Sequence, residues 1–344
     1  MAEKLHLLYV SEESQRLDKY LVDVKIQELF SRTFIEKLIA DELIVVNNFP
    51  VKKSFLLSHG DEITICLPPQ PPIDIVPQDI PLDIVFEDEN LAVVNKPAGM
   101  IVHPGFGNPD NTLVNAIVFR YGDNLVSGRA MNRPGIVHRL DKGTTGLILI
   151  AKNDAIQSIL SDMFARRKVK KTYFAVTTGV PEPAEDRIES FISRSFSNPR
   201  KMTVSNSGRW ALTSYKVIHY YYYFALCEIN LETGRTHQIR VHLANRNYPV
   251  LGDLLYNSIK HVQANVPENM KRKVYELLTT HLRRQALHAW KLEFEHPYTK
   301  TLQTFTAPLP DDIIYTLDWL EQYFAIDKLR YDKKMLNETN KVEG

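Results

Sequence analysis

The sequence has few cysteines and no long apolar run. Its two cysteines, Cys66 and Cys227, lie far apart and outside any C-x-x-C pattern, which excludes a disulfide framework and a cysteine-rich zinc site. We expect both to be core thiols. No apolar run approaches the roughly 20 residues that cross a bilayer. The first residues, MAEKLHLLYV, lack the basic start and apolar block of a signal peptide. These absences predict a cytoplasmic protein without a membrane partner.

Common cofactor and nucleophile motifs are also absent. GFGNPD (105–110) has two glycines but not the third of a dinucleotide fingerprint, and the chain has neither G-x-x-x-x-G-K nor G-x-S-x-G. His237 and His242 are five residues apart, without the glutamate of a zinc-binding helix. A structural or ligand-facing role is therefore favoured over metal binding for them, and the sequence predicts no metal and no cofactor.

The net charge of +1 hides an uneven distribution. Residues 160–216 contain eleven Lys and Arg against five Asp and Glu, whereas residues 68–95 contain six acids and no base. A local basic face is what binding to a polyanion requires, even in a neutral protein.

The chain divides at a proline-rich stretch. Residues 14–66 predict a small α/β unit with two helices, a strand pair turned at Asn47-Asn48 and a closing strand, GDEITICL. PPQPPIDIVPQDIP follows, with six prolines in fourteen residues, which excludes a regular helix. We interpret residues 67–81 as a linker.

The remaining chain, residues 82–325, predicts an α+β domain with mostly antiparallel strands. LDIVFEDENLAVVNKP indicates a hairpin, LILIAKN a buried strand and KKTYFAVTTGV a partly exposed strand. SYKVIHYYYYFALCEINLE indicates two more strands that include the tyrosine run, and helices are expected after Asn153 and Gly234. Residues 326–344 are charged and poor in apolar residues, so we expect a flexible tail.

Asp141, in GIVHRLDKGTTGL, is the candidate nucleophile. It lies between a cationic stretch and a Gly-Thr turn that opens into the buried strand, which places a carboxylate at the edge of a rigid element. Taken alone, an aspartate beside basic residues is more often a turn carboxylate paired with a neighbour such as Arg139 or Lys142.

HRLDKGTTGLILIAKN resembles the central motif of the RluA-type pseudouridine synthases. Four other stretches are similar to family motifs and stand in the family's order: NKPAGMIVHPG, KKTYFAV, LETGRTHQIRVHLA and RRQALHAWKLEFEHP. Residues 14–66 resemble an S4 RNA-binding domain, and the likeness extends from Ser14 to about Pro310. Residues 257–282 match the family weakly.

The resemblance implies an isomerase that converts uridine to pseudouridine in RNA without a cofactor. It implies that Asp141 is the catalytic aspartate, that Arg240 pairs with it, and that Tyr173 is the active-site tyrosine. The motif usually has an aspartate where this chain has Gly143, which removes a turn partner and leaves the nucleophile in place.

RNA contacts are expected around this site. A stacked uridine must leave its helix to be modified, and Arg139 is placed to fill the gap or to bind the displaced phosphate, with His138 supporting the turn. The basic segment is expected to bind backbone phosphates through Arg166, Arg167, Lys168, Lys170 and Lys171. The S4-like unit has seven bases and eight acids, so its RNA contact needs a local face, assigned to Arg16, Lys19, Arg32 and Lys37.

The family analogy favours large-subunit ribosomal RNA, or the assembling large ribosomal subunit, as the partner of a monomeric enzyme. Two alternatives remain at this point: a pseudouridine synthase that acts on transfer RNA, and a non-catalytic RNA-binding factor in ribosome assembly.

Overall fold

The computed structural model describes residues 3–24, 32–67, 75–105, 107–125, 134–195, 197–198 and 200–326. The chain divides into two compact units, Met1–Ile73 and Asp74–Gly344. The division falls inside the predicted linker, of which residues 68–74 lie outside the described residues. The predicted tail also lies outside them, apart from residue 326.

The first unit packs two helices with short antiparallel strands. Its elements are β1 (Glu3–Leu8), β2 (Gln15–Arg16), α1 (Leu17–Asp23), α2 (Arg32–Ala40), β3 (Ile44–Val46), β4 (Phe49–Pro50), β5 (Leu56–Leu57) and β6 (Glu62–Leu67). The sheet order is β1-β6-β3-β4, and β2 pairs with β5. The predicted start at residue 14 was wrong, because β1 pairs with β6 along its whole length and so belongs to this unit.

One of the four cations assigned to the helices of this unit, Arg16, lies outside them, in β2. Arg16 precedes α1 and donates to Asp18 through Nε and Nη2, at 3.0 and 3.1 Å. Lys19 lies on α1 and Lys37 on α2. The side chain of Arg32 is outside the described part of the chain.

The second unit is built on one large sheet. Its strands are β7 (Asp83–Glu87), β8 (Leu91–Lys96), β9 (Thr145–Ala151), β10 (Lys170–Thr178), β11 (Glu185–Arg194), β12 (Met202–Ser205), β13 (Arg209–Tyr220), β14 (Phe224–Leu231), β15 (Leu287–Glu295) and β16 (Leu302–Thr306). Its α-helices are α3 (Leu113–Tyr121), α4 (Asp154–Ala165), α5 (Gln238–Asn245), α6 (Ile259–Ala264), α7 (Lys271–Glu276) and α8 (Asp311–Phe324).

The sheet order is β12-β11-β13-β14-β10-β15-β9-β8-β7, with β16 paired to β15. Among these pairs, β9 and β15 are parallel and the others are antiparallel. Gly146 permits the close approach of β9 to β15: its φ is +107°, and a Cβ there would lie 2.2 Å from the carbonyl oxygen of Ala289. The predicted α+β class with a mostly antiparallel sheet is confirmed.

Both faces of the sheet are buried, since alternate residues of one strand enter different cores. On β9, Ile148 and Ile150 pack with α3 and α5, whereas Leu147 and Leu149 pack with α4. On β10, alternate residues pack towards α5 and α8 in the same way. This burial fixes the strand ends that carry the candidate site.

Three local predictions need correction. The strand β10 is almost entirely buried, because it lies between β14 and β15 rather than near an edge. The tyrosine run ends β13 at Tyr220 and then forms the connection to β14, so it is not a continuous strand. Cys66 is partly exposed, whereas Cys227 is buried as expected.

No helix in the described ranges is long and apolar enough to cross a membrane.

Candidate active site

Asp141 begins a tight turn at the entrance of the buried strand β9. Its carbonyl oxygen accepts the N–H of Thr144 at 3.0 Å, which closes the turn one residue before β9 begins. Its side chain is 18% exposed and faces a cleft of about 290 Å³. The strand fixes one end of the turn, so the carboxylate has a defined position.

Lys96 holds this turn from inside the protein. It is fully buried, and its Nζ donates to the carbonyl oxygens of Pro97 at 2.8 Å, Met100 at 2.9 Å and Lys142 at 3.5 Å. Burial, and then the positive charge of Arg284, lower the pKa of Lys96 to about 7, against the opposing charge of Asp141. The three carbonyls compensate the buried ammonium and join two loops next to the carboxylate.

Arg240 joins two carboxylates in the wall of the cleft. It lies on α5, and its Nη1 donates to Asp141 Oδ2 at 2.9 Å. Nε and Nη2 donate to the two oxygens of Asp253, at 2.6 and 2.8 Å. Burial would lower the pKa of Arg240, but hydrogen bonding and charge from Asp253, followed by Asp141, raise it above its usual value. Arg240 is thus a fixed cation whose fork geometry orients the Asp141 carboxylate.

Tyr173 lies in the same cleft on the central strand β10. The pairing of β10 with β15 shifts register between Thr172 and Tyr173, an irregularity of the kind that redirects side chains near active sites. Tyr173 is 6% exposed, and burial together with the negative charge of Asp141 raises the pKa of its phenol. The hydroxyl is therefore protonated at neutral pH, and the ring offers a face for a base.

His237 forms another side of the cleft. It caps the start of α5 in a left-handed conformation, with φ 56° and ψ 19°. Its Nε2 lies 3.9 Å from Asp141 Oδ2, and its Nδ1 lies 3.0 Å from the hydroxyl of Tyr256. Burial lowers the pKa of His237, although the charge of Asp141 opposes this. When the neutral imidazole accepts a hydrogen bond from the Tyr256 hydroxyl at Nδ1, its N–H is at Nε2 and faces the cleft.

The two residues before the aspartate have different positions. His138 Nε2 accepts the backbone N–H of Leu149 at 2.8 Å, and its ring stacks on Phe164 at 4.6 Å. Burial, and then Lys171, lower the pKa of His138 to about 3, so the imidazole is neutral. These contacts tie the residues before Asp141 to β9 and α4. Arg139 is exposed at the edge of the cleft.

The side chains of the basic segment do not form one continuous surface. Lys171 lines the Asp141 cleft, and burial lowers its pKa to about 8. Lys168 and Lys170 line a separate depression with Glu293. Arg166 pairs with Asp162 at 2.9 Å. Arg167 instead turns towards β13, where its guanidinium lies 4.7 Å from the centre of the Trp210 ring.

Gly143 has a neighbour that explains its lack of a side chain. A Cβ at this position would lie 2.5 Å from Gln285 Oε1. The buried Gln285 amide donates to Thr144 Oγ1 at 3.1 Å, and Arg284 Nη1 donates to the carbonyl oxygen of Gly143 at 3.0 Å. The turn is thus held from residues 284–285 rather than by an acid of its own.

Sequence reasoning missed Asp253, Tyr256 and Lys96. Asp253 follows Gly252, whose φ is +75° and whose Cβ would lie 2.2 Å from the carbonyl oxygen of Arg284. The Gly-Asp pair after the apolar PVL was the one local sign of a constrained acid. Lys96, in NKPAG, had no sequence feature that distinguishes a buried lysine from a surface one.

A profile of the family described as "RNA pseudouridylate synthase" matches residues 90–245. "Uncharacterized RNA pseudouridine synthase YlyB" of Bacillus subtilis is 36% identical over 311 residues, which cover 90% of this chain and 96% of that protein. "Ribosomal large subunit pseudouridine synthase D" of Vibrio vulnificus is 35% identical over 326 residues, 94% of this chain and 97% of that protein.

A solved structure has the same fold. "Human RNA Pseudouridylate Synthase Domain Containing 4" superposes with a TM-score of 0.51 and 26% identity, over 69% of this chain and 92% of that chain. The resemblance to the RluA-type synthases is confirmed by these relatives. The chain belongs to the RNA pseudouridine synthase family.

Proposed function

We propose that this protein isomerises specific uridines of large-subunit ribosomal RNA to pseudouridine, with Asp141 as the catalytic carboxylate. The contact between Asp141 and Arg240, fixed by Asp253, is the observation that carries the proposal. The ribosomal substrate is supported by relatives such as that of Vibrio vulnificus, which is named as a large-subunit enzyme.

The reaction breaks the bond between ribose C1′ and uracil N1 and forms one between C1′ and C5. N1 gains a proton and C5 loses one, so the product is an isomer and no oxidant or reductant is consumed. An ionised carboxylate serves this chemistry by bonding to C1′, by stabilising the electron-poor sugar or by removing a sugar proton. Each of these roles requires an ionised carboxylate, which Arg240 orients.

Tyr173 and Arg139 act on the base and its surroundings. A uracil in the cleft stacks on Tyr173, a contact worth roughly 1–3 kcal/mol. The protonated hydroxyl assists proton movement at C5 as a hydrogen-bond partner. The uridine must leave its stack at a cost of a few kcal/mol, and Arg139 at the edge of the cleft fills the gap or binds the displaced phosphate.

The first unit, residues 14–66 in particular, serves in this proposal as an S4-like RNA-binding domain. A second contact on the same RNA raises the effective concentration of the substrate at the cleft. Lys19 and Lys37 remain candidates for this contact, and Arg16 takes part once it exchanges Asp18 for phosphate. We propose a cytoplasmic monomer, whose contact with the assembling large subunit comes through RNA.

The test combines conversion in vitro with a map of pseudouridine in cells. Purified protein should convert a uridine in a large-subunit transcript, and Asp141→Asn should abolish conversion while RNA affinity changes only a few-fold. Asp162→Asn, which changes an exposed carboxylate beside Arg166, is the matched control and should convert normally.

Cells that lack the gene should lose pseudouridine at large-subunit positions. Loss confined to transfer RNA would reject the ribosomal assignment. Conversion by Asp141→Asn at the normal rate would reject the catalytic assignment, and absence of conversion by the unmodified protein would favour a non-catalytic binding factor.

A further inference from the structure

Arg235 is a partly buried cation in the wall of the Asp141 cleft. Its Nε donates to the carbonyl oxygen of Trp210 at 3.0 Å, and its backbone N–H is held by Gln238 Oε1 at 3.0 Å. Among the described residues, no carboxylate oxygen lies within 4.0 Å of this guanidinium. A partly desolvated cation without a counter-ion is less stable than a paired one, so the site favours an anionic ligand.

Two further arginines lie beside it. Arg167 stacks over the Trp210 ring at 4.7 Å, and Arg209 precedes Trp210 at the start of β13. Burial, and then the positive charges of Arg209 and Arg167, lower the pKa of Arg235. Like charges repel one another, so the neighbouring positive charges increase the preference of the Arg235 guanidinium for an anionic ligand.

Two backbone turns position Arg167 and Arg209. Arg167 has φ +58° at the end of α4, and the next N–H, of Lys168, closes the helix end on Met163 at 2.8 Å. Glycine is the usual residue in that conformation. Gly208 has φ +139°, and a Cβ there would lie 2.5 Å from the carbonyl oxygen of Ile192. The turn before Arg209 is thus constrained as well.

The acids on this face do not neutralise Arg235. Glu232 lies 3.0 Å from Arg187 and 3.6 Å from Arg167, so two arginines share it. Glu189 accepts the indole N–H of Trp210 at 2.6 Å. Both carboxylates have other partners, and neither lies within 4.0 Å of the Arg235 guanidinium.

We propose that Arg235, with Arg167 and Arg209 beside it, forms a subsite for a backbone phosphate of the RNA next to the uridine in the cleft. The inference rests on the proposed function and adds a ligand group to it. Arg235 and Asp141 line one cleft, so a nucleotide whose sugar lies at Asp141 has its neighbouring phosphates near Arg235. A guanidinium suits a phosphodiester because its planar N–H groups bind two oxygens at once.

The test removes one charge at a time from each partner. The probe is a synthetic RNA hairpin with a single loop uridine, made with the ordinary backbone or with one neutral methylphosphonate at a phosphate flanking that uridine. Binding is measured in an Asp141→Asn background, so that the RNA is not consumed. Arg235→Gln should weaken binding of the ordinary hairpin about 10- to 100-fold, as expected for a charge-assisted contact.

The effects of the protein variant and of the methylphosphonate on the binding free energy should not be additive. One methylphosphonate should weaken RNA binding by a similar factor when the protein retains Arg235. It should have little further effect on RNA binding by the Arg235→Gln variant. Arg235→Lys, which keeps the charge, should retain part of the affinity. Arg187→Gln is the matched control, since Arg187 also pairs with Glu232, and it should keep the full methylphosphonate effect.

An equal methylphosphonate effect in Arg235 and Arg235→Gln proteins at every flanking position would overturn the subsite. Conversion of the ordinary hairpin or of ribosomal transcripts by the protein with Asp141 intact is scored separately. Loss of conversion with the non-additive binding intact would reject the proposed function and leave the phosphate subsite standing.

Discussion

Asp253 holds one edge of the Arg240 guanidinium by accepting two hydrogen bonds, at 2.6 and 2.8 Å, and leaves Nη1 for the Asp141 carboxylate. Asp253 is 1% exposed, so this is a buried ion pair that orients a third group. The orientation of Arg240 therefore depends on an acid that does not touch the substrate cleft.

Asp253→Asn should reduce the single-turnover rate by about 100-fold, because a misplaced Arg240 no longer orients the catalytic carboxylate. It should also lower the free energy of unfolding by about 3 kcal/mol, since a buried cation loses a partner. Asp88→Asn, which weakens the 2.8 Å contact with His296 outside the cleft, controls for stability. Equal rates for Asp253→Asn and the unmodified protein would contradict the role.

Tyr173→Phe should separate binding of the base from proton loss at C5. The ring face remains, so RNA affinity should change only a few-fold, whereas conversion should slow by about 10² or more with the loss of proton-transfer assistance. Transcripts with deuterium at C5 provide the measurement: the isotope effect should be larger in Tyr173→Phe. An unchanged rate and isotope effect would leave Tyr173 as a packing residue.

Replacement of His237 can distinguish a hydrogen-bond donor from a packing role. Asn tolerates the left-handed conformation and reaches Tyr256, but it has no donor at the Nε2 position, so His237→Asn should lower kcat/KM about 3- to 10-fold. His237→Gln places an amide N–H near that position and should recover part of the loss. If Gln were no better than Asn while both folded normally, the donor role would fail.

Gly143→Asp should be unfavourable in this chain because of Gln285. The new Cβ lies 2.5 Å from the Gln285 amide, so we expect a loss of about 1–3 kcal/mol in stability and slower conversion. Gly143→Asp with Gln285→Ala should be less destabilised than the sum of the single variants. Additive effects in this double-mutant cycle would show that the two positions are not coupled.

Acid should destabilise the second unit through buried neutral histidines. Burial lowers the pKa of His242 and His288 to about 4 and that of His138 to about 3. The unfolded chain protonates them near 6.5, so it binds more protons, and the free energy of unfolding should fall as the pH drops from about 6.5 to about 4. Urea denaturation across this range measures the slope.

His242→Gln should reduce that slope, whereas the exposed His261→Gln should not. His242 bonds to the hydroxyls of Ser190 and Thr213, each at 2.9 Å, and Gln can retain part of this pattern. A slope that is the same in His242→Gln and the unmodified protein would show that His242 does not carry the effect.

The strands and the motif residues were predictable because each has a local cause. Burial on both faces gives β9 its continuous apolar sequence, and an amide cap at Asn153 begins α4 by accepting the N–H of Ile156. Asp141, Tyr173 and Arg240 were found from motifs, and the structure brings all three to one cleft.

The residues that support the cleft could not be predicted in this way, because their partners are distant in the sequence. Asp253 acts through Arg240, and Gln285 occupies the space next to Gly143, 142 positions earlier. The burial of β10 depends likewise on which strands flank it, which a local pattern does not specify.

The buried ammonium of Lys96 has a consequence for how uridines are chosen. By joining the turn at Lys142 to the loop at Pro97 and Met100, it orders the catalytic turn when the protein folds. Less of the RNA's binding free energy is then needed to order that turn. The remaining free-energy cost is that of unstacking and unpairing the target base, and it is lowest for bases that are already mismatched or unpaired. Weak points in the RNA's secondary structure should therefore be modified first.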